Sequence, residues 1–229
     1  MEFLLQAVDY FRHIDAHLAD LLRNYGAWTY AILFLIIFCE TGLVVTPILP
    51  GDSLLFAAGA VVATANSQPG EPALNVLFLW LLLMVAAIVG DSVNYQIGRW
   101  LGLRVFKPDA RIMKTEYLER TEAFYAKHGG KTIILARFIP IVRTYAPFVA
   151  GASRMDYPKF LSYNIIGGIV WITLFLFAGY FFGNIPFVQR NFEYVVILII
   201  LLSVVPVIIE WMKARRERRA ATIEPTTLP

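Results

Sequence analysis

The sequence predicts an all-α integral membrane protein: an inverted repeat of two re-entrant helical hairpins plus transmembrane helices, preceded by an N-terminal amphipathic helix. Hydrophobic residues make up 58% of its 229 residues and charged residues only 16%, a balance too apolar for an ordinary soluble domain. Prolines and glycines interrupt two of the apolar stretches. Basic residues cluster between apolar segments, which marks membrane topology rather than a nucleic-acid partner.

Residues 1–26 are predicted to form an amphipathic helix in the membrane interface. Apolar side chains recur there at spacings of three and four, including Val8, Phe11 and Leu18, and charged residues occupy the other side. His13 and His17 are four positions apart. They have no further metal ligand nearby, so we predict no metal site.

The first predicted hairpin covers residues 27–65 and is interrupted between Glu40 and Asp52. Pro47, Pro50 and Gly51 lie inside this interruption. Each proline removes a backbone donor and would break a continuous membrane helix. Irregular backbone at membrane depth is tolerated only where it is buried in protein or lines a polar cavity. We therefore expect the break to face the interior of the protein.

The second predicted hairpin, residues 132–151, resembles the first but carries basic residues in place of acids. Arg137, Pro140, Arg143, Pro147 and Gly151 follow one another within it. The segment is too short to cross the membrane twice as helix. Basic residues flank it on both sides, so we expect it to enter and leave from the cytoplasm.

Three complete spans are predicted, at residues 74–98, 160–182 and 192–212, and together with the two hairpins they make 27–212 one membrane domain. The connecting loop 99–131 contains eight basic residues, and the tail 213–229 is also basic. Both are therefore predicted to be cytoplasmic, with the connection 66–72 on the other side. The two hairpins then dip from opposite faces, the pattern of an inverted repeat. An offset of 97 residues aligns Glu40 with Arg137.

The span at 74–98 carries small and polar residues near its far end. Gly90, Asn94, Gly98 and Gly102 fall on one stripe, which would allow another helix to approach closely. Asp91 lies beside this stripe, so we expect its side chain to face protein.

Five ionisable residues lie in or beside the apolar segments: Glu40, Asp52, Asp91, Arg137 and Arg143. A charge at such depth costs at least ~2.5 kcal/mol, so these groups should be paired. One interpretation is structural, with ion pairs that lock the hairpins together and Asp52 as the N-cap of a helix beginning at Ser53. The other is functional. Three carboxylates against two arginines leave one carboxylate unpaired, which desolvation would allow to hold a proton. The arginines favour an anion such as phosphate.

Four segments carry distinctive motifs: Phe38 to Gly42, Pro50 to Ser53, Gly90 to Arg99, and Lys127 to Gly151. Together they resemble the DedA family of bacterial inner-membrane proteins, in the VTT or SNARE-associated superfamily. The resemblance implies a role in moving lipids between leaflets, recycling of undecaprenyl phosphate, and dependence on the proton motive force. It also implies that the family's required acid pair is Glu40 and Asp52, and that its arginine pair is Arg137 and Arg143.

Together these features predict a proton-linked translocase, or flippase, of an anionic lipid such as undecaprenyl phosphate, in the bacterial inner membrane. Headgroup binding is assigned to Arg137 and Arg143, and proton coupling to Glu40, Asp52 and Asp91. The expected partners are a membrane lipid and protons, with a homo-oligomer possible, and no cofactor or metal.

Three alternatives stay open: a proton-coupled antiporter of small cations or drugs, an enzyme acting on lipid phosphates, and a purely structural membrane factor. The enzyme is less favoured because only His128 lies near the arginines in sequence. No HExxH pair, P-loop or serine-centred elbow accompanies it.

Overall fold

The computed structural model describes residues 14–43, 51–67, 74–107, 115–183 and 185–192, together with residues 194, 195, 198 and 199. All regular secondary structure in this part of the chain is helical, and it includes nine α-helices. They are α1 (Ile14–Tyr25), α2 (Trp28–Gly42), α3 (Gly51–Ser67), α4 (Val76–Leu101), α5 (Thr115–His128), α6 (Thr132–Ala136), α7 (Pro140–Ala152), α8 (Tyr157–Phe182) and α9 (Pro186–Arg190).

Two of these helices, α4 and α8, are long and apolar enough to cross a membrane, and each has 26 residues. At about 1.5 Å per residue, 26 residues span roughly 39 Å, more than the ~30 Å hydrocarbon core. They correspond to the predicted spans 74–98 and 160–182. The third predicted span, 192–212, and the tail 213–229 lie almost entirely outside the described residues.

The first predicted hairpin is divided between α2 and α3, and Pro47 and Pro50 lie outside the described residues between them. The second is divided between α6 and α7, with Pro140 at the first position of α7, where a missing N–H costs nothing. Pro147 was predicted to break the helix of the second hairpin, but α7 continues past it to Ala152. Side chains of neighbouring helices donate to two carbonyl groups near Pro147: Asn94 Nδ2 to Thr144 O at 3.0 Å and Tyr125 Oη to Ala146 O at 3.0 Å.

Helix α3 packs along α8, and two glycines bring their backbones together. A Cβ at Gly59 would collide with the carbonyl oxygen of Leu176, and one at Gly179 would collide with the carbonyl oxygen of Phe56. Each glycine thus accommodates the backbone of the opposite helix. The contact lets α3 hold Asp52 against the middle of α8.

Helix α7 packs along α4 in the same manner. A Cβ at Gly151 would collide with the carbonyl oxygen of Tyr95, and one at Gly98 would collide with that of Phe148. Buried aromatic rings surround this crossing, including Tyr95 and Phe148. The crossing holds the N-terminal end of α7, which carries Arg143, against the interior face of α4.

The glycine stripe of α4 serves two helices rather than one. Gly90 faces Thr41 and the carbonyl oxygen of Phe38 on α2, whereas Gly98 faces α7. Gly102 has no atom near its Cβ position and ends α4 with φ of +69°, a conformation that favours glycine. The stripe was predicted from helical spacing, but spacing along one helix does not reveal how many partners share it.

Candidate functional site

The site is assembled where α2 ends and α3 begins. Glu40 lies in the last turn of α2 and is buried. The first residue of α3, Gly51, donates its backbone N–H to Glu40 Oε1 at 3.1 Å. A side chain at Gly51 would collide with the Glu40 carboxylate. A substitution at Gly51 would therefore displace the Glu40 carboxylate from the helix N-terminus.

Arg143, in the first turn of α7, binds two carboxylates at once. Its Nη2 donates to Glu40 Oε1 at 2.6 Å and its Nη1 to Asp52 Oδ1 at 3.0 Å. The planar guanidinium matches this geometry because its two terminal nitrogens diverge from one carbon. Arg143 thus connects the second predicted hairpin to both helices of the first, one on each side of its break.

Arg137 binds a separate set of groups just after the C-terminal end of α6. Its Nη2 donates to Asp91 Oδ2 at 2.6 Å and to Asn164 Oδ1 at 2.5 Å. Asn164, on α8, in turn donates through Nδ2 to Ile88 O at 3.0 Å. The Nε of Arg137 is buried and has no hydrogen-bond partner among the described residues. Arg137 therefore retains an unused donor in a buried setting, where such a donor is costly.

Trp171 of α8 contacts both arginines and is 1% exposed. Both guanidinium carbons lie 5.7 Å from the centre of its ring, within range of a cation–π interaction. Its Nε1 donates to Asp52 Oδ1 at 2.8 Å. One side chain thus interacts with both Arg137 and Arg143 and also holds an acid.

The five ionisable residues singled out in the sequence meet at one place, which we call the charge cluster: Glu40, Asp52, Asp91, Arg137 and Arg143. Four of them, all except Asp52, surround a cavity of only about 10 Å³ together with Thr41, Thr144 and Trp171, no larger than a single water needs. In this conformation the cluster is closed, and an anion the size of a phosphate requires the helices to separate.

Two details differ from the sequence prediction. No carboxylate of the cluster lacks an arginine, because Arg143 is shared by two acids. The unsatisfied acceptor is instead a single atom: Glu40 Oε2 has no hydrogen-bond partner among the described residues. Asp52 lies inside the first turn of α3, which begins at Gly51 rather than Ser53, so it is not the N-cap residue.

Sequence reasoning missed Trp171 and Asn164. A signal existed for Asn164, because it is an amide within an apolar span and such residues often mark function. Trp171 gave no comparable signal among the many aromatic residues of the chain. The described residues contain no group of three or more histidine, cysteine or acidic side chains that could hold a metal.

Comparison with known proteins agrees with the sequence motifs. A family model described as the VTT domain matches residues 49–181. Protein DedA of Escherichia coli is 54% identical over 217 residues, covering 94% of this chain and 97% of that protein. The chain belongs to the DedA family. The predicted resemblance to this family is confirmed.

Other DedA-family relatives are more distant. An uncharacterized membrane protein of Mycobacterium tuberculosis is 40% identical over 190 residues, covering 82% of this chain and 81% of the relative. The inner membrane protein YqjA of Escherichia coli is 34% identical over 177 residues, covering 77% of each chain. These names support a bacterial inner-membrane location. No solved structure matches the chain.

Proposed function

We propose that this protein is a proton-linked translocase of an anionic lipid, such as undecaprenyl phosphate, in the bacterial inner membrane. The observation that carries the proposal is the charge cluster, in which the buried Arg137 and the largely buried Arg143 are held by three buried carboxylates between helices that begin or end nearby. Guanidinium groups suit phosphate because they donate two parallel hydrogen bonds. The N-terminus of α3 at Gly51 adds a backbone donor and a positive dipole end.

Competition for Arg143 supplies the coupling to protons. In the closed conformation Glu40 and Asp52 occupy both terminal nitrogens of Arg143, so a phosphate must displace a carboxylate to bind there. A buried carboxylate that loses its arginine is stabilised by taking up a proton. Proton uptake and phosphate binding therefore favour each other, and lipid affinity rises as pH falls. Such couplings typically amount to about 1–3 kcal/mol, or roughly 5- to 150-fold in affinity.

We further propose the inverted repeat, with α2, α3 and α4 as one unit and α6, α7 and α8 as the other. The first helix of each unit packs on its own long helix, and the second packs on the long helix of the other unit. The glycine crossings support this equivalence. Phe148 lies 92 positions after Phe56, and Gly151 lies 92 positions after Gly59. The packing thus favours an offset of 92 for these helices, rather than the 97 that aligns Glu40 with Arg137.

Leaflet exchange in liposomes tests the proposal. Purified protein and labelled undecaprenyl phosphate are reconstituted, and the labelled fraction in each leaflet is followed with and without a pH gradient. We expect exchange faster than in protein-free liposomes, accelerated further by the gradient. Arg143→Gln should abolish exchange, while Arg120→Gln, which removes an exposed arginine paired with Glu116 in α5, is the matched control. Equal exchange with both variants would refute the proposal.

A proton-coupled antiporter of small cations is the second candidate, and the charge balance of the cluster favours it. Three carboxylates and two arginines give a net charge of −1 when all are ionised, and Glu40 Oε2 is left without a described partner. A cation would bind the acids that Arg143 now holds. The two functions differ in one measurement: cation uptake driven by a pH gradient in liposomes that contain no anionic lipid supports the antiporter alone.

A further inference from the structure

We propose that the outer face of α4 and α8 carries a groove that holds one hydrocarbon chain of the transported lipid beside the charge cluster. This inference rests on the proposed lipid function and adds the route by which the lipid approaches. The groove has a volume of about 590 Å³ and is lined mainly by apolar side chains. Its walls include Ile88, Val89 and Trp100 of α4 and Tyr157 and Leu161 of α8.

The groove has the length of one lipid leaflet. On α4 it extends from Ile88 to Trp100, and a rise of about 1.5 Å per residue makes this roughly 18 Å. Half of the ~30 Å hydrocarbon core is about 15 Å. Because α4 and α8 are the two helices long enough to cross the membrane among the described residues, a groove between them is open to lipid. It therefore runs from the headgroup level to about the middle of the bilayer.

The end of the groove near Trp100 suits an anionic headgroup. Trp100 is 84% exposed there, as expected of a tryptophan at the membrane interface. Arg99 precedes it at the end of α4 and is exposed. A lipid phosphate at this level would have this cation nearby, while its chain extends inward along the groove.

The inner end of the groove, at Ile88, lies close to Arg137. A Cβ at Gly168 would lie 3.1 Å from the Ile88 side chain and 3.7 Å from Arg137 Nη2. Asn164, which accepts from Arg137, donates to Ile88 O. Ile88 therefore lines the groove on one side. On its other side its backbone carbonyl accepts a hydrogen bond from Asn164, which binds Arg137. A small separation of α4 and α8 here connects the groove with the cluster.

The shape of the groove favours a lipid chain over a second copy of the protein. Close helix pairing in membranes uses small residues at the contact. The glycines of α4 at positions 90 and 98 are already used internally, against α2 and α7. The groove face instead presents Val89, Gln96 and Trp100, which line a concavity suited to a flexible chain.

A matched pair of valines on α4 provides the test. Val85 and Val89 are one helical turn apart and both are 42% exposed, but only Val89 lines the groove. Val89→Trp fills the groove, whereas Val85→Trp places the same ring on the lipid-facing surface outside it. Leu161→Trp fills it from α8, with Leu174→Trp, exposed and outside the groove, as its control.

Binding is measured in phosphatidylcholine nanodiscs with undecaprenyl phosphate and with water-soluble butyl phosphate, which has the same headgroup class but a short chain. We expect Val89→Trp and Leu161→Trp to weaken undecaprenyl phosphate binding by about tenfold or more, since excluding two methylene groups would already do so. Their butyl phosphate affinity should stay within about twofold of the parent, because the arginines are untouched. The two control variants should match the parent with both ligands.

Three results would overturn the groove assignment. Groove and control variants could bind undecaprenyl phosphate equally well. The groove variants could lose butyl phosphate as well, which would indicate a disturbed cluster. The parent could be a dimer by light scattering and Val89→Trp a monomer, which would make the groove a subunit interface. If the parent binds neither phosphate, the proposed function fails as well.

Discussion

Replacing each arginine of the charge cluster by lysine should destabilise the protein very unequally. Arg143 uses two different nitrogens, Nη1 for Asp52 and Nη2 for Glu40. Arg137 makes both of its side-chain contacts, to Asp91 and Asn164, from Nη2 alone. A lysine ammonium is a single point with three donors. Lysine can therefore replace Arg137 at Asp91 and Asn164, but it cannot replace Arg143 at both Asp52 and Glu40.

The magnitude follows from the contacts that are lost. Arg143→Lys forfeits one charge-assisted hydrogen bond, about 1.5–3 kcal/mol. For a chain of this size 1 kcal/mol shifts Tm by roughly 2–4 °C, so we expect Tm to fall by about 3–12 °C. Arg137→Lys keeps both partners within reach of one nitrogen and should cost under about 1 kcal/mol. Arg143→Gln leaves two buried acids without their cation and should reduce the free energy of unfolding the most, by about 3–5 kcal/mol.

Thermal unfolding of the detergent-purified variants, followed by circular dichroism, measures the difference. The cation–π contribution cancels in the comparison, because both guanidinium carbons lie 5.7 Å from the Trp171 ring centre. A fall in Tm for Arg137→Lys as large as that for Arg143→Lys would show that the two-nitrogen bridge is not what distinguishes the arginines.

Three further results are expected. Lipid affinity of the parent should rise from mildly basic to mildly acidic pH, because protonated Glu40 releases Arg143; Glu40→Gln should still bind lipid but show no such rise in a pH titration. Gly151→Ala should lower stability by about 1–3 kcal/mol in thermal unfolding, because its methyl group meets the backbone of α4. After replacement of the native cysteine, a membrane-impermeant reagent should label Gly70→Cys but not Lys114→Cys in intact cells, and equal labelling would contradict the predicted topology.

The sequence was sufficient to predict that the chain is helical and which charged residues are paired inside it. A charge or proline within an apolar run is conspicuous because its cost must be offset inside the protein. Glu40, Asp52, Asp91, Arg137 and Arg143 stood out for this reason, and the structure places all five together.

The pairing within the cluster was not predictable, because it depends on contacts between distant segments. Arg143 and Glu40 are 103 positions apart, and local pattern cannot specify that one arginine serves two acids. Trp171 was missed because its role lies in its indole N–H and ring face, which look apolar in a hydropathy pattern. The reciprocal crossings of Gly59 with α8 and Gly151 with α4 were missed because each helix was considered alone.

The packing of α3 on α8 has a consequence for how the protein is made. Asp52 receives its bond from Trp171, which lies 119 positions later in the chain. At a synthesis rate of about 5–20 residues per second, that interval is roughly 6–24 s. During this interval the nascent chain carries the Asp52 carboxylate and the Gly59 face of α3 without α8, which covers both in the folded protein. We expect the insertion machinery, or another protein bound in place of α8, to cover α3 until the second half of the chain is synthesised.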